Sequence, residues 1–263
     1  MSSNKHIFIA SSASNLIYHD KHQPSSYYYY SYDETTLTFG TIFDSPLDDF
    51  KFPASLTKIY FSNYFNQSLD KILFPTNLEY ISFGNTFNQP LDDVLLPVNL
   101  QTIIFGYNYN QSLDNIKFPI NLKTIALGDM FDSSIDNIKF PNSLEHIIFG
   151  WNFDQPLDKV IFPTNLLSIR FKYYFNQSLH KITFPPNLQK IIFGDCFNQP
   201  LNNLPNSITR LEFFQIRKPI TNLPYSIKEI KIGYCEQKSA KNLIKLPYGC
   251  KIIGRDNCIV KIE

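Results

Sequence analysis

Phe65-Asn66-Gln67-Ser68-Leu69 is the stretch that decides the fold, because the same five-residue phrase returns along most of the chain. Its first residue is always aromatic, and Asn or Asp follows it. The aromatic residue stands at positions 43, 65, 87, 109, 131, 153, 175 and 197, so each copy begins 22 residues after the previous one. A fixed period of this length is typical of solenoids, in which each coil packs only on its neighbours.

The segment before each phrase predicts one short strand per coil. In one coil it reads Leu56-x-x-Ile59-x-Phe61, and the period-two alternation is that of a half-buried strand. The pattern is close to the L-x-x-L-x-L of leucine-rich repeats. We expect these strands to stack into one parallel sheet; they are predicted at residues 58–61, 80–83, 102–105, 124–127, 146–149, 168–171 and 190–193.

The other side of each coil contains a proline, which argues against a helix there. A glycine follows most strands and indicates either a positive φ or a close backbone approach. The predicted fold class is therefore a β-rich solenoid with a 22-residue repeat. We expect a right-handed leucine-rich-repeat superhelix of shallow arc, with a concave parallel sheet of about eleven strands and short extended or 3₁₀ segments on the convex side.

The period divides the chain into three parts. Residues 1–34 do not fit the repeat and are predicted to form an N-terminal cap, since a solenoid needs its first apolar layer covered. Residues 35–213 hold the regular coils. Residues 214–263 are predicted to form shortened coils and a C-terminal cap, because the strand-entry residues there are spaced less evenly while Leu-Pro pairs keep the turn.

The Asn of each phrase lies just past the strand, where the chain turns, and its amide carries a donor and an acceptor. Stacked once per coil, these side chains are predicted to form a ladder that satisfies backbone groups no strand partner reaches. An ionised Asp can only accept, so we expect weaker rungs where Asp replaces Asn. The predicted structural ladder consists of Asp44, Asn66, Asn88, Asn110, Asp132, Asp154, Asn176 and Asn198, and Arg217 is taken as its end.

The repeated unit resembles a known family. Phe83-Gly84-Asn85-Thr86-Phe87-Asn88-Gln89-Pro90-Leu91 is similar to the FGxxFN signature of the FNIP leucine-rich-repeat family of social amoebae and protist-infecting giant viruses. The resemblance is clear over residues 35–213 and weak over 214–250. Some members carry an F-box before the repeats, which implies recruitment of targets to a ubiquitin ligase. We find no F-box in residues 1–34, so that role needs one supplied elsewhere.

Charge and cysteine content exclude several function classes. The net charge is +1, so nothing indicates binding to nucleic acid or to an anionic membrane. No apolar run approaches the ~20 residues of a membrane span. The four cysteines form no CxxC pair, and no histidine stands in a catalytic or metal-binding spacing. We expect no enzymatic activity, cofactor or metal, and a cytoplasmic location, which would be the host cytoplasm if the protein is viral.

A second column of side chains leaves two interpretations open. Asp residues repeat with the same period, and they would lie about 5 Å apart in stacked coils. They could bind a cation, since hard cations take oxygen ligands, or cap a turn by accepting backbone N–H bonds. The column consists of Asp48, Asp70, Asp92, Asp114, Asp136 and Asp158, followed by His180 and Asn202.

The concave face is where we expect a partner protein to bind. Outward strand positions include a run of apolar residues, and contiguous apolar surface on a protein often marks a binding site. Aromatic residues, which are favoured anchors at interfaces, precede several of the repeated phrases. The predicted partner-binding residues are Tyr60, Ile104, Ile148, Arg170, Ile192, Tyr107, Trp151 and Tyr173.

These observations predict a non-enzymatic protein–protein interaction module. The partner is not identified by the sequence, and a substrate-recognition role in a ubiquitin-ligase pathway is the version that the family resemblance implies. We expect a monomer. Two alternatives stay open: a self-associating structural protein of a virion or matrix, and a calcium-dependent binding protein.

Overall fold

The computed structural model describes residues 6–8, 16–18, 28–31 and 33–260. The chain forms two units, residues 1–128 and 129–263. Unit 1 holds a two-stranded antiparallel sheet of β1 (His6–Phe8) and β2 (Leu16–Tyr18). It also holds a run of six strands: β3 (Tyr28–Tyr30), β4 (Thr36–Phe39), β5 (Lys58–Tyr60), β6 (Tyr80–Ser82), β7 (Thr102–Ile104) and β8 (Thr124–Ala126).

Unit 2 holds six further strands and one short helix. The strands are β9 (His146–Ile148), β10 (Ser168–Arg170), β11 (Lys190–Phe193), β12 (Arg210–Phe213), β13 (Glu229–Ile232) and β14 (Lys251–Ile253). The helix α1 (Glu236–Ala240) lies between β13 and β14.

Within each unit, consecutive strands from β4 onward pair in parallel and in register. Lys58 lies opposite Tyr80 in unit 1, and Ser168 lies opposite Lys190 in unit 2. The offset is one repeat, so equivalent residues of successive coils stand side by side. The predicted parallel-sheet solenoid with a 22-residue repeat is therefore confirmed, and eleven parallel strands, β4 to β14, are seen in the described residues.

The strand before the first coil runs in the opposite direction. β3 pairs antiparallel with β4, and Tyr30 is buried. The Tyr28 ring lies 5.1 Å from the Phe50 ring, and both belong to unit 1. Tyr28 and Tyr30 belong to residues 1–34, the segment that is predicted to form a cap. The assignment of residues 1–34 as a cap stays a prediction, since most of them lie outside the described residues.

The core of each coil is built from the repeating apolar positions. In the coil that contains β5, Leu56, Ile59, Phe65 and Leu69 are fully buried. The aromatic rings stack on those of the next coil: Phe65 and Phe87 have centroids 6.1 Å apart and planes that differ by 8°. Because each coil presents the same layer to the next, the core continues for as long as the repeat continues.

Two turns per coil replace regular structure on the side opposite the sheet. The Ile72 N–H donates to the Leu69 carbonyl at 3.0 Å, and the Leu78 N–H donates to the Pro75 carbonyl at 3.1 Å. Proline is tolerated there because it stands at the first position of its turn and supplies only an acceptor. Turns and irregular backbone stand here instead of a helix, as expected from the prolines, and no 3₁₀ segment is seen in the described residues.

The glycine after the strand is required by a close backbone approach. A Cβ on Gly84 would lie 1.6 Å from the Ser62 carbonyl oxygen, and one on Gly106 would lie 1.7 Å from the Gly84 oxygen. The positive-φ residues of the described chain are Glu34, Cys235, Asn257 and Gly249, and none of them stands at this position. Of the two explanations left open by the sequence, the contact between successive coils is the one that applies.

The last coils of unit 2 keep the turn that begins at a proline, but the backbone between two such turns follows a different course. The Ile227 N–H donates to the Pro224 carbonyl at 3.2 Å, as in the regular coils. Residues 216–220 instead approach the segment after α1, where Ile220 forms a parallel bridge to Leu243. At the end, Ile259 forms an antiparallel bridge to Ile253. Residues 261–263 of the predicted C-terminal cap lie outside the described residues.

Candidate functional site

The Asn and Asp side chains of the repeated phrase connect successive coils. The Asn88 N–H donates to Asn66 Oδ1, and the Asn110 N–H donates to Asn88 Oδ1, both at 2.9 Å. In unit 2 the Asn198 N–H donates to Asn176 Oδ1 at the same distance. Each carboxamide thus holds the backbone of the next coil, which fixes the turn that leads away from the strand.

The bonds between rungs use only the side-chain oxygen. Asp44 accepts from the Asn66 N–H at 2.8 Å, and Asp154 accepts from the Asn176 N–H at 2.8 Å. Asp132 accepts from the Asp154 N–H at 3.0 Å. Since Asp and Asn supply the same acceptor at the same distance, the geometry gives no reason for the weaker Asp rungs expected from the sequence.

A glutamine adds a second bond to several rungs. Gln67 Nε2 donates to Asp44 Oδ1 at 2.9 Å, and Gln199 Nε2 donates to Asn176 Oδ1 at 3.2 Å. The Gln follows the ladder residue of its own coil and reaches back to the preceding coil. The phrase Asn-Gln therefore works as one unit, with two donors for a single oxygen.

The ladder ends at Asn198. Arg217, at the next aligned position, pairs through Nη2 with Asp195 Oδ1 at 2.8 Å. Asn198 Oδ1 is buried and has no hydrogen-bond partner among the described residues. The last oxygen of the ladder thus lacks the donor that the other rungs receive.

On the sheet surface of unit 1, the predicted residues Tyr60 and Ile104 are half-buried. The Tyr60 and Tyr80 rings have centroids 5.1 Å apart, and burial, with the neighbouring Tyr60, raises the pKa of Tyr80. Ile104 stands beside Ala126 of the next strand. Tyr107, just after β7, is half-exposed. Unit 1 therefore offers a small aromatic cluster and a short apolar pair.

On the sheet surface of unit 2, Arg170 stands between two isoleucines. It lies opposite Ile148 of β9 and Ile192 of β11, and both are half-buried whereas Arg170 is exposed. Arg170 has no ion-pair partner among the described residues. A cation flanked by apolar side chains is available to a carboxylate from another molecule.

Several charged side chains on the following strands of this surface have partners of their own. Lys190 Nζ lies 2.8 Å from Glu212 Oε1, and Arg210 Nε lies 2.8 Å from Glu229 Oε1. Lys231 Nζ donates to Asn257 Oδ1 at 2.7 Å. The contrast leaves Arg170 as a distinct feature of this part of the sheet.

Exposed aromatic rings border the same surface. Trp151 is 51% exposed and stacks on Tyr173, with centroids 5.6 Å apart and planes that differ by 13°. Tyr174 meets Tyr173 edge-on at 4.8 Å. The Asp195 carboxylate, which is hydrogen-bonded to Tyr173, raises the pKa of that phenol. Stacking and this hydrogen bond hold the rings in place while leaving much of their surface open.

An apolar patch on the opposite side of unit 1 was missed by the sequence reasoning. Leu73 is 79% exposed and Leu95 is 68% exposed, at equivalent positions of adjacent coils. Val98 and Ile120 are also exposed and equivalent to each other. The sequence does indicate that these turn positions are exposed, because the equivalent positions carry Lys, Thr or Asn in several other coils.

The Asp column lies in the first turn of the return side. Asp48 Oδ2 lies 3.5 Å from Lys71 Nζ, and Asp136 Oδ2 lies 3.8 Å from Lys159 Nζ. The local hydrogen bond at Asp70 is donated by its backbone N–H to Ser68 Oγ at 3.2 Å. In the described part of the chain, no group of three or more His, Cys, Asp or Glu side chains is arranged to hold a metal ion.

No helix in the described part of the chain is long and apolar enough to span a bilayer.

The comparison with family models agrees with the geometry. The FNIP Repeat model matches residues 43–86, 87–130, 131–174, 175–215 and 197–235, which together cover most of the chain. A comparison with curated proteins gave no match.

Among solved structures, the chain is similar to CroV588 of the giant virus CroV, whose crystal structure is described as a novel circular LRR protein. The two are 29% identical with a TM-score of 0.62, over 81% of this chain and 35% of CroV588. This chain therefore spans about a third of the length of CroV588.

Two bacterial proteins are weaker matches. YopM from Yersinia enterocolitica WA-314 is 15% identical with a TM-score of 0.41, over 78% of this chain and 48% of YopM. An internalin, InlF, from Listeria monocytogenes is 12% identical with a TM-score of 0.44, over 83% of this chain and 79% of InlF.

Proposed function

The chain belongs to the FNIP repeat family, and we propose that it is a non-enzymatic scaffold that binds a partner protein. Its leucine-rich-repeat fold is of the kind typical of protein–protein interaction scaffolds. The proposed binding surface in unit 2 consists of Ile148, Arg170 and Ile192 on the sheet together with Trp151 and Tyr173 at its border. In unit 1, Tyr60, Ile104 and Tyr107 would add a second contact region.

The observation that carries the proposal is the exposed Trp151–Tyr173 stack beside the unpaired Arg170. Trp, Tyr and Arg are the residue types most enriched among those that dominate binding energy at interfaces. Two parallel rings that are already held in position lose little conformational entropy when a partner covers them. A cation flanked by isoleucines favours a partner that presents a carboxylate between apolar side chains.

The finer version of the proposal concerns the pathway. Family members with an F-box suggest that the bound partner is a substrate delivered to a ubiquitin ligase, with the F-box supplied by another chain or segment. This version places the protein in the cytoplasm, or in the host cytoplasm if it is viral. The ligase role is an addition to the binding function, and the binding function stands even if the ligase role is disproved.

The test is recovery of proteins from the native cytoplasm with the full chain as bait. The variant Trp151→Ala with Ile148→Glu removes the aromatic anchor and places a charge in the apolar surface, so it should lose the specific partners. Arg170→Glu should lose the same set. Tyr225→Ala is the matched control, since Tyr225 is 95% exposed in the same unit but lies away from these residues in the sequence.

The control and the wild-type chain should recover the same proteins. If the double variant also recovers that set, binding occurs elsewhere and the proposed surface is wrong. Ubiquitin-ligase subunits in the wild-type set would support the finer version. Specific partners without any ligase subunit would leave the scaffold function standing and remove the ligase role.

Self-association is a second candidate, and the apolar patch of unit 1 favours it. Leu73, Leu95, Val98 and Ile120 are exposed in three successive coils of that unit, and exposed apolar patches mark interaction surfaces. Light scattering on the purified chain separates this from the monomer that we expect. If the wild-type mass exceeds that of one chain and the variant Leu73→Lys with Leu95→Lys has the mass of one chain, the patch joins copies of the protein.

A further inference from the structure

A cavity of about 290 Å³ opens in unit 2 where the ladder ends. It is lined by residues of 197–202, in the last regular coil, and of 213–222, in the coil that follows. Its volume is at the small end of the range for ligand pockets, which is about 300–1,000 Å³. Five of the lining side chains are carboxamides: Asn198, Gln199, Asn202, Gln215 and Asn222.

The cavity exists because residues 216–220 pair with the following coil. The Ile216 N–H donates to Ser239 Oγ at 3.1 Å, and Asn242 Nδ2 donates to the Ile216 carbonyl at 2.8 Å. The Ile220 N–H donates to the Asn242 carbonyl at 2.8 Å. These bonds hold residues 216–220 against the following coil, and the bond that the Arg217 N–H would donate to Asn198 Oδ1 in a regular rung is not seen among the described residues.

The interruption leaves one polar atom unsatisfied. In the preceding rung, Asn176 Oδ1 receives the Asn198 N–H and Gln199 Nε2. Asn198 Oδ1 is buried without a hydrogen-bond partner among the described residues. A buried acceptor that is left unpaired requires an explanation, and the regular ladder specifies the missing donors: a backbone N–H and a carboxamide N–H.

The charged side chains that line the cavity are Arg217 and Lys218. Arg217 is paired with Asp195, and Gln215 Nε2 also donates to Asp195 Oδ1, at 2.5 Å. Asn222 Nδ2 donates to Asn202 Oδ1 at 3.1 Å. Lys218 has no ion-pair partner in the described part of the chain and can donate to a ligand carbonyl. Amide groups, with their N–H and C=O together, match a lining in which five side chains are carboxamides.

We propose that this cavity binds a short extended peptide that carries a carboxamide, of the type Asn-Gln, and that the bound peptide acts as an added rung. Its backbone N–H and its Gln Nε2 donate to Asn198 Oδ1, once that carboxamide turns about χ2 toward the cavity. Its carbonyl accepts from Lys218. The site is separate from the sheet surface of the proposed function and does not depend on it.

The experiment is an NMR titration of the full chain with N-acetyl-Asn-Gln-amide. Saturable shifts at Asn198 and Asn222 are expected, with at least tenfold weaker binding to Asn198→Ala, because the shared acceptor is gone. Asn198→Asp keeps the oxygen and should retain binding. Both variants keep the Asn198 backbone N–H that bonds to Asn176, and an unchanged backbone amide spectrum elsewhere will verify their fold.

A peptide whose Asn nitrogen is methylated supplies the matched ligand control, since it lacks the proposed N–H donor. It should bind at least tenfold more weakly than the parent peptide. The proposal is overturned if the parent peptide gives no saturable shifts at millimolar concentration. It is equally overturned if Asn198→Ala or the methylated peptide binds as well as its counterpart.

Discussion

Tyr109 is the single tyrosine among the eight aromatic residues that begin the repeated phrase, and it is fully buried. Its ring stacks on Phe87 at 6.1 Å and on Phe105 at 4.1 Å, as a phenylalanine would. Its hydroxyl has no hydrogen-bond partner among the described residues. Burial, and then the nearby charge of Asp92, raises the pKa of this phenol. The hydroxyl therefore destabilises the folded state and contributes nothing to the stack.

Replacing Tyr109 by Phe should raise the free energy of unfolding by about 1 kcal/mol, because it removes an unpaired buried polar group and keeps the ring contacts. Urea denaturation of the full chain measures the change. Phe87→Tyr is the reverse substitution one coil earlier, at an equally buried position, and should lower stability by roughly 1–3 kcal/mol. A stability loss in Tyr109→Phe would mean that the hydroxyl has a bonding role.

The same pair of proteins gives a pH dependence. Burial raises the pKa of Tyr109 above its ordinary value of 10.0 in the folded state, so the unfolded chain loses the phenol proton at a lower pH than the folded chain does. The free energy of unfolding is therefore unaffected by this group below pH 10 and falls as pH rises further. The alkaline loss of stability should be smaller in Tyr109→Phe than in the wild-type chain. Equal losses would show that folding does not shift the pKa of Tyr109.

Residue positions were predictable wherever the period specifies them. Asn66, Asn88 and Asn176 follow the strand at a fixed offset, so one spacing locates all of them. The positions of the exposed Leu73 and Leu95 are equally periodic, but each follows a buried residue of the turn, Ile72 or Val94, so an apolar residue there looks like core. Exposure at that position depends on the direction of the side chain in a turn, which periodicity does not give.

At the scale of elements, the strands were predictable and the short helix was not. The seven predicted strands begin at the observed residues, because period-two burial and coil spacing agree on them. The helix α1 (Glu236–Ala240) has five residues, too few to show a helical period of 3.6. The cavity beside Asn198 was not predictable either, since it arises from pairing between residues 216–220 and a segment more than 20 residues later.

The contact after each strand predicts a strong dependence on glycine. A Cβ at Gly106 would meet the Gly84 carbonyl oxygen at 1.7 Å, and that oxygen also accepts the Phe87 N–H of the following turn. We expect Gly106→Ala to lower the free energy of unfolding by about 3 kcal/mol, at the upper end of the range for overpacking. Thermal and urea unfolding of the full chain measure the loss.

Gly233→Ala is the matched control, since its added Cβ would meet nothing closer than 3.7 Å. That variant should stay within about 0.5 kcal/mol of the wild-type chain. If both variants lose the same stability, the contact between coils does not explain the requirement for glycine after the strand.

At the scale of the whole molecule, stability in a solenoid is the sum of contacts between nearest neighbours. Strand β7 pairs with β6 and β8 in unit 1, and β12 pairs with β11 and β13 in unit 2. Ile103 of β7 and Ile230 of β13 are both fully buried. Alanine at either position would leave a cavity that weakens packing between neighbouring coils. Residues of distant coils take no part in that packing.

Ile103→Ala should cost about 2–5 kcal/mol locally and reduce protection from hydrogen exchange in β6 to β8 by a factor of ten or more. Protection in β12 and β13 should change little. Ile230→Ala should give the opposite pattern, and hydrogen–deuterium exchange with mass spectrometry resolves the two. If each substitution accelerates exchange equally in all strands, the chain opens as one cooperative body, and neighbour-limited stability does not describe this solenoid.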